Sequence, residues 1–246
     1  MKKKIFIAPI LLGVLLTGCC NKADTNTTKE KQYDFCVEVK NKDSLKLSTD
    51  STFKDLESKL GVEEVPSFAS AFTYQWFLNS TKGYTFDKIH SEETDYKLGF
   101  TSVNGGMGFF KYTFFIKNKG ESKTSYNMDI QLEKSLFDKQ SEIDEYLRLM
   151  VFEGDKTPII YARRSKARYD SSHEIYHEYV SGPEGTSNYY GEAELFESDT
   201  ILASISSSLD TNEERMITLL FWLEGEDADC KDMPDNAYLN IQVSIE

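Results

Sequence analysis

Long apolar runs are scarce in this 246-residue chain, and after Leu16 no stretch approaches the ~18 residues that cross a bilayer. Basic residues are also in deficit, with 28 Lys and Arg against 41 Asp and Glu, which gives a formal net charge of −13. No basic patch with interleaved aromatic residues is present, and an acidic chain repels nucleic acid and anionic lipid. We therefore exclude nucleic-acid binding and expect no membrane-spanning helix after Leu16.

The N-terminus has the pattern of an export signal. Three lysines at positions 2–4 precede an apolar run at residues 5–16 that is interrupted only by Pro9 and Gly13. As a helix this run would rise about 18 Å, well short of the ~30 Å hydrocarbon core. We expect it to direct export and then to be removed.

The apolar run ends in Leu16-Thr17-Gly18-Cys19, which resembles the lipobox of bacterial lipoproteins. The resemblance implies that residues 1–18 are a signal peptide, that the Cys19 thiol carries a diacylglycerol, and that the protein is displayed on the outer face of the cell membrane. Loss of the three N-terminal lysines would bring the formal net charge to −16. The alternative is an ordinary secretory signal with a chance cysteine, which would release the protein into the medium.

The rest of the chain divides into a short tether and one large domain. Residues 19–32 comprise the lipidated cysteine and a flexible tether. Residues 21–32 are polar and aperiodic, so they cannot bury enough surface to become ordered, and their reach is about 20 Å. No comparable linker interrupts residues 33–246, which we interpret as a single domain.

Strand periodicity dominates this domain. Alternating apolar residues at 112–116 and 126–132, separated by a polar turn at 118–121, predict a β-hairpin. Residues 237–245 alternate in the same way, which predicts a half-buried strand at the C-terminus. Further strands are predicted at 35–39, 71–79, 148–153, 158–162, 201–206 and 216–224.

Two short helices complete the secondary structure that the sequence predicts. Phe53, Leu56 and Leu60 share one face of a helix at 52–60 that would stop at Gly61, and a serine would cap a second helix at 141–146. Many short strands, few helices and no βαβ alternation predict a mainly β protein, an antiparallel two-sheet β-sandwich.

Three stretches, at 109–134, 146–153 and 219–230, resemble the extracellular β-sandwich proteins of Gram-positive bacteria grouped with camelysin and the biofilm-matrix protein TasA. The resemblance lies in strand order, in an aromatic-rich hairpin and in a late strand that runs into an acidic turn. It implies a jelly-roll-like sandwich and a role in surface or matrix architecture. The lipobox departs from that family, whose fibre subunits are released after cleavage, and a lipidated relative would anchor, cap or bind a partner.

A different chemistry is indicated by His173-Glu174-Ile175-Tyr176-His177, which fits the H-E-x-x-H pattern of zinc metallopeptidases. On a helix, histidines four apart share a face and both bind Zn²⁺, while Glu174 would serve as general base. A third ligand could come from Glu192, Glu194 or Glu197.

The same segment also fits a strand, because aromatic and β-branched residues alternate with polar ones. On a strand His173 and His177 would be ~13 Å apart, too far to share a zinc ion. The zinc site therefore requires a helix at residues 172–180, and we favour the strand or loop.

A second candidate metal site is the acidic turn that contains Glu226, Asp227, Asp229 and Asp232. Carboxylates around a glycine can wrap Ca²⁺, which takes six to eight oxygens, but their order differs from an EF-hand loop. The alternative is a solvated turn between strands.

Cysteine usage leaves one possible disulfide. Cys36 and Cys230 remain after Cys19 is lipidated and Cys20 is placed at the membrane surface, and they either pair or stay as buried thiols. No Ser-His-Asp arrangement, Cys-His pair or phosphate-binding loop is present.

The sequence thus predicts a cell-surface lipoprotein with a non-catalytic binding or structural role and no obligatory cofactor. Its expected partner, beyond the membrane, is another surface or matrix protein held by edge-strand pairing. The alternative is a surface zinc metallopeptidase that uses His173, Glu174 and His177.

Overall fold

Strands form most of the regular structure in the computed structural model, which describes residues 34–62, 65, 68, 89–91, 108–133, 143–163, 193–224 and 239–246. All of them belong to one compact unit, Tyr33–Glu246. The elements bounded by these residues are β1 (Phe35–Val39), β2 (Leu45–Ser48), β3 (Lys59–Val62), β4 (Phe109–Asn118), β5 (Thr124–Leu132), α1 (Ile143–Tyr146), β6 (Leu147–Glu153), β7 (Ile159–Ala162), β8 (Glu194–Leu195), β9 (Ile201–Leu209), β10 (Glu214–Leu223) and β11 (Ile241–Ile245).

The described strands form two sheets. Sheet A has the order β3-β1-β11-β5-β9, and sheet B has the order β2-β4-β10-β6-β7-β8. Their facing sides share one hydrophobic core, which confirms the predicted two-sheet sandwich. The pairing is mostly antiparallel, but β1 with β11 and β7 with β8 are parallel, so both sheets are mixed.

Alternation explains how the core is built. In β5 the apolar residues at every second position are buried, and their neighbours are exposed or half-buried. Phe35 from sheet A packs on Phe110 and Tyr112 from sheet B, with ring centroids 5.1 and 4.5 Å apart. Each fully buried apolar side chain of this kind contributes about 1.5–3 kcal/mol.

The predicted hairpin is wrong, although both of its strands exist. β4 pairs with β2 and β10 in sheet B, whereas β5 pairs with β11 and β9 in sheet A. The turn at 119–123 therefore carries the chain from one sheet to the other. Alternation shows that a strand has a face to bury, but it does not show which strand pairs with it, so two strands in different sheets and the two strands of a hairpin give the same pattern.

The fully buried Asn118 fixes this crossing and a second one. Its side-chain Nδ2 donates to the carbonyls of Ser122 and Leu209 at 2.8 and 3.1 Å, and its backbone pairs with Asn212 and Glu213. The chain between β9 and β10 also passes from sheet A to sheet B here. One polar residue thus holds two neighbouring turns at the same end of the sandwich.

The predicted helix at 52–60 is also wrong. Leu60 lies in β3 and pairs with Val37, and Glu57 forms a β-bridge with Leu47. Phe53 adopts a positive φ of 49° and packs on the Phe115 ring at 5.9 Å. Sheet hydrogen bonds to β1 and β2 therefore override the local helical pattern. The helix predicted at 141–146 is confirmed by α1 where it is described.

The remaining strand predictions mostly hold. The strand at 35–39 has the predicted bounds, the segments at 148–153, 158–162, 201–206 and 216–224 correspond to β6, β7, β9 and β10, and the segment at 71–79 lies outside the described residues. The C-terminal strand differs, because Gln242 and Ser244 are buried too. Both faces of β11 are therefore covered, so the prediction of a half-buried strand is wrong. None of the described helices has the length and apolarity to cross a membrane.

Candidate functional site: an open sheet edge

Sheet A ends in an unusually long edge strand. Among the described strands the four edges are β2, β3, β8 and β9, with 4, 4, 2 and 9 residues. β2 is partly covered, because Leu47 exchanges two backbone hydrogen bonds with Glu57 on its outer side. β9 therefore presents the longest open edge of the described sandwich, about 30 Å at the usual rise per residue.

The sequence of β9 lacks two of the usual protections of an edge strand, charge and proline. Its nine residues, ILASISSSL, include no charged residue and no proline. Natural proteins commonly place Lys, Pro or a bulge on such strands to prevent pairing with other chains. The register shift opposite Ile130 and Gln131 lies near the start of β9, so pairing is regular from Ala203 to Leu209.

Backbone groups of three serines point away from the sheet. Asn127 in β5 exchanges both of its backbone hydrogen bonds with Glu246, so the backbones of its neighbours Tyr126 and Met128 face β9. Hydrogen-bonding direction alternates along an antiparallel strand. The backbones of Ser204, Ser206 and Ser208 are therefore directed to the open side of β9.

A buried polar cluster fixes β9 against sheet B. Glu153, only 7% exposed at the end of β6, accepts hydrogen bonds from Ser207 of β9, from Arg215 of β10 at 2.7 Å and from Lys156 at 2.8 Å. Arg215 also donates to the Ser208 carbonyl at 3.0 Å. The end of the edge strand is thus hydrogen-bonded to side chains from two strands of the opposite sheet.

The pKa values in this cluster follow from its contacts. Burial raises the pKa of Glu153, but the hydrogen bonds from Lys156, Ser207 and Arg215 together hold it below its usual value. Burial, with the charge of Glu153, raises the pKa of Tyr126. Glu153 is therefore ionised at neutral pH, and its negative charge stabilises the ion pair with Arg215. Tyr126 stays protonated at that pH.

A second polar group lies on the outer face of sheet B. His90 Nδ1 is 2.9 Å from the Thr218 hydroxyl, which is 2.9 Å from the Thr113 hydroxyl. The His90 ring stacks on Phe152 with centroids 5.3 Å apart. Burial and the charge of Lys111 lower the pKa of His90, against a backbone hydrogen bond to Gly154 and the charge of Asp155, both of which raise it. Both threonines are fully buried, so their hydroxyls are not accessible as nucleophiles. The hydrogen bond from Thr218 to His90 instead holds the segment around His90 on sheet B.

Most site residues predicted from sequence lie outside the described residues. This applies to the lipidation site Cys19, to the zinc motif His173, Glu174 and His177, to the acidic turn with Glu226, Asp227, Asp229 and Asp232, and to Cys230. Cys36 is described and is buried in β1. Within the described part of the chain, no group of three or more His, Cys, Asp or Glu residues could hold a metal ion.

Two features of the site escaped the sequence analysis. The edge position of β9 depends on which strands pair, and this is not a local property. The buried position of Glu153 could have been predicted from sequence, because Glu153 continues the alternation of the inward-facing Leu149 and Val151. An acid at an inward position implies a buried basic partner. The sequence matches no protein-family model, and it has no match among curated proteins or solved structures.

Proposed function

We propose that this protein is a non-catalytic lipoprotein of the cell surface, anchored by a lipid on Cys19, that binds another surface or matrix protein through β9. The observation that carries the proposal is the nine-residue, uncharged edge strand with outward-directed backbone groups. An extended segment of a partner can add to such an edge, where main-chain hydrogen bonds give affinity and alternate side chains give specificity.

The rigidity of the edge supports this role. Ser207 and the Ser208 carbonyl are both held by side chains of sheet B, so β9 needs little reordering when a partner binds. A preformed site avoids much of the entropic cost of association. The entropic cost of ordering would then fall mainly on the partner segment.

The proposed anchor suits a binding module. The Cys19 lipid and the tether at residues 20–32 would hold the domain close to the membrane, about 20 Å from the headgroups. The resemblance to the camelysin and TasA family also favours a structural role at the surface. The protein would act there as an attachment point for an extracellular partner.

The test compares Ser206→Pro with Ser206→Ala in cells. Proline removes the outward N–H of residue 206 but no hydrogen bond to β5, whereas alanine keeps that N–H. We expect Ser206→Pro to abolish the complexes that surface crosslinking detects and Ser206→Ala to retain them, at closely similar melting temperatures. Complexes that survive in folded Ser206→Pro would contradict binding through β9.

The anchor is tested separately with Cys19→Ala. The variant should incorporate no radiolabelled lipid and should leave the membrane fraction, because no other lipid attachment site is proposed. Lipid incorporation into Cys19→Ala would contradict the anchoring part of the proposal and leave the edge to be judged by the proline variant.

A further inference from the structure

Sheet A is shorter than sheet B on the side of β9. The inward-facing Ser207 of β9 reaches Glu153 of β6, and β9 also contacts β7. Beyond β7 sheet B continues with β8, whereas among the described strands sheet A ends at β9. A strand added at the edge of β9 would therefore lie over the inner face of β7 and β8.

On β7 that inner face is apolar and incompletely covered, whereas the β8 residue paired with Tyr161 is Glu194. Ile159 pairs with the inward-facing Val151, so its side chain faces sheet A, yet it is 44% exposed. Tyr161 faces the same way and is half-buried against the main core, as are Phe196 and Ile205. Alternate apolar side chains of an added strand would cover Ile159 and Tyr161 and complete the core.

The edge of β9 and the inner face of β7 and β8 form a groove, and charge is distributed unevenly along it. At the start of β9, Glu194, Glu197 and Asp199 are exposed, and the described ion pairs engage only Asp199, through Arg163. Glu194 pairs with Tyr161 across β7 and β8, so its carboxylate lies beside the exposed part of this face. In keeping with this position, burial and the charges of Glu194 and Glu197 raise the pKa of Tyr161.

At the other end of the groove, acidic side chains are paired with basic ones. At the end of β9, Lys123 pairs with Asp210, Lys156 pairs with Glu153, and Arg215 pairs with both Glu153 and Glu213. A positively charged group is therefore favoured at the start of β9 and not at its end.

We infer that β9 accepts an extended segment that runs antiparallel to it, with apolar residues at alternate positions and Lys or Arg at its C-terminal end. This inference rests on the proposed function and specifies the partner. In an antiparallel pair, directly opposed residues have side chains on the same face. Residues of the segment that bond to Ser204 and Ser206 therefore point to solvent, and the residues between them point to Ile159 and Tyr161.

The probe is a synthetic peptide as long as β9 that alternates valine with threonine and ends in two lysines. Its control has the same composition with the lysines at the N-terminal end. Binding of both to the whole chain, purified from cells in detergent, is measured by fluorescence anisotropy. We expect the peptide with C-terminal lysines to bind about threefold to tenfold tighter, and the difference should shrink at high salt.

Backbone methylation provides the second arm. N-methylation at the threonines blocks the amides that face β9 and should weaken binding about tenfold or more. N-methylation at the valines blocks amides on the far side and should have little effect. Since the protein is unchanged in this arm, a folding defect cannot mimic the result.

A charge variant tests the assignment of the acids. Glu194→Gln with Glu197→Gln should remove the preference for C-terminal lysines, whereas Asp43→Asn with Asp55→Asn, two exposed acids on other turns, should leave it intact. Equal binding of the two lysine peptides overturns the inferred partner chemistry and leaves β9 as an acceptor. Binding that is insensitive to threonine methylation, or no binding by any peptide, overturns strand addition and the proposed use of β9 with it.

Discussion

The outer faces of the two sheets differ sharply. On sheet B, Thr113, Thr218 and Trp222 point away from the main core and are nevertheless fully buried. On sheet A, the outward-facing Ser204 and Ser206 are exposed and hydrogen-bond across to Asp129 and Asn127. The central strands β4, β10 and β6 of sheet B are thus covered on both faces, while sheet A keeps polar, exposed side chains on the outer face of its edge strand β9.

This contrast is visible in the residues that each sheet uses. β4 and β10 read FFKYTFFIKN and ERMITLLFWL, with apolar residues in continuous runs. Strands buried on both faces have this composition, whereas one-sided strands such as β5 alternate. The apolar outer face of sheet B forms a second core, which includes Phe109, Met150, Phe152, Ile160, Leu220 and Trp222.

The largest expected effect comes from removing the centre of sheet A. Deletion of residues 237–246 removes β11, so β1 and β5 lose their shared neighbour and the buried Ile241, Val243 and Ile245. Three buried side chains at about 1.5–3 kcal/mol each are comparable with the whole stability of a domain. We expect the truncated protein to be unfolded by circular dichroism.

A peptide of residues 236–246 offers the matched control for this deletion. Because β11 is held by main-chain pairing with β1 and β5, the native peptide should enter the gap between them without a covalent link, and a scrambled peptide should not. Restored ellipticity with the native peptide alone would agree with the topology. A cooperative melting transition in the truncated protein without any peptide would show that β11 is peripheral.

The next effect compares the two outer faces directly. Trp222 on sheet B is fully buried and its indole N–H donates to Glu224 at 3.1 Å, so Trp222→Ala should cost about 3–5 kcal/mol. Ser206→Ala on sheet A removes an exposed hydroxyl and should change stability by no more than about 0.5 kcal/mol. Urea unfolding of both variants measures the difference. Equal losses would mean that the faces are not distinct.

The sequence predicted the local structure of sheet A better than its arrangement. The strand β5 was predicted because its alternation is a local property with period two. The neighbours of each strand could not be found, since β11 joins β1 only through pairing across the whole length of the domain. The same limitation turned two strands in different sheets, β4 and β5, into an apparent hairpin.

The candidate site shows the same division. That residues 201–206 form a strand followed from their apolar and β-branched composition, but an edge is defined by the absence of a neighbour. The failed helix at 52–60 has a related cause, because Glu57 and Leu60 are held by β2 and β1 and not by their own turn. Local propensity is a weak preference that tertiary pairing overrides.

A smaller effect is expected where the two sheets are clamped together. Glu153→Gln removes the charge that Arg215 and Lys156 contact and should destabilise the protein by about 1–3 kcal/mol at pH 7. Glu214→Gln, on the neighbouring strand, alters an exposed pair with Lys117 and should cost no more than about 0.5 kcal/mol.

The pH dependence of the Glu153 variant has a defined sign. The folded-state pKa of Glu153 lies below its ordinary value of 4.5, so its contribution is complete above pH 4.5 and is lost as pH falls through the folded-state value. The difference in unfolding free energy between wild type and Glu153→Gln should therefore shrink as the pH is lowered below 4.5. A difference that stays constant would show that the carboxylate is not stabilised by its partners.

The smallest effect concerns His90 on the covered face of sheet B. Burial, aided by the charge of Lys111, lowers its pKa below 6.5, so the unfolded chain takes up a proton first as pH falls. Stability that is complete above pH 6.5 is then lost as pH decreases from 6.5 to the folded-state pKa, by less than about 1 kcal/mol because the ring is half exposed. His90→Gln keeps a polar group that can contact Thr218 but cannot titrate, so its stability should lack this component between pH 7.5 and pH 5.5.

An NMR titration of the His90 ring measures the pKa directly. A midpoint above 6.5 would reverse the sign and would mean that the Asp155 charge and the Gly154 hydrogen bond outweigh burial on this face.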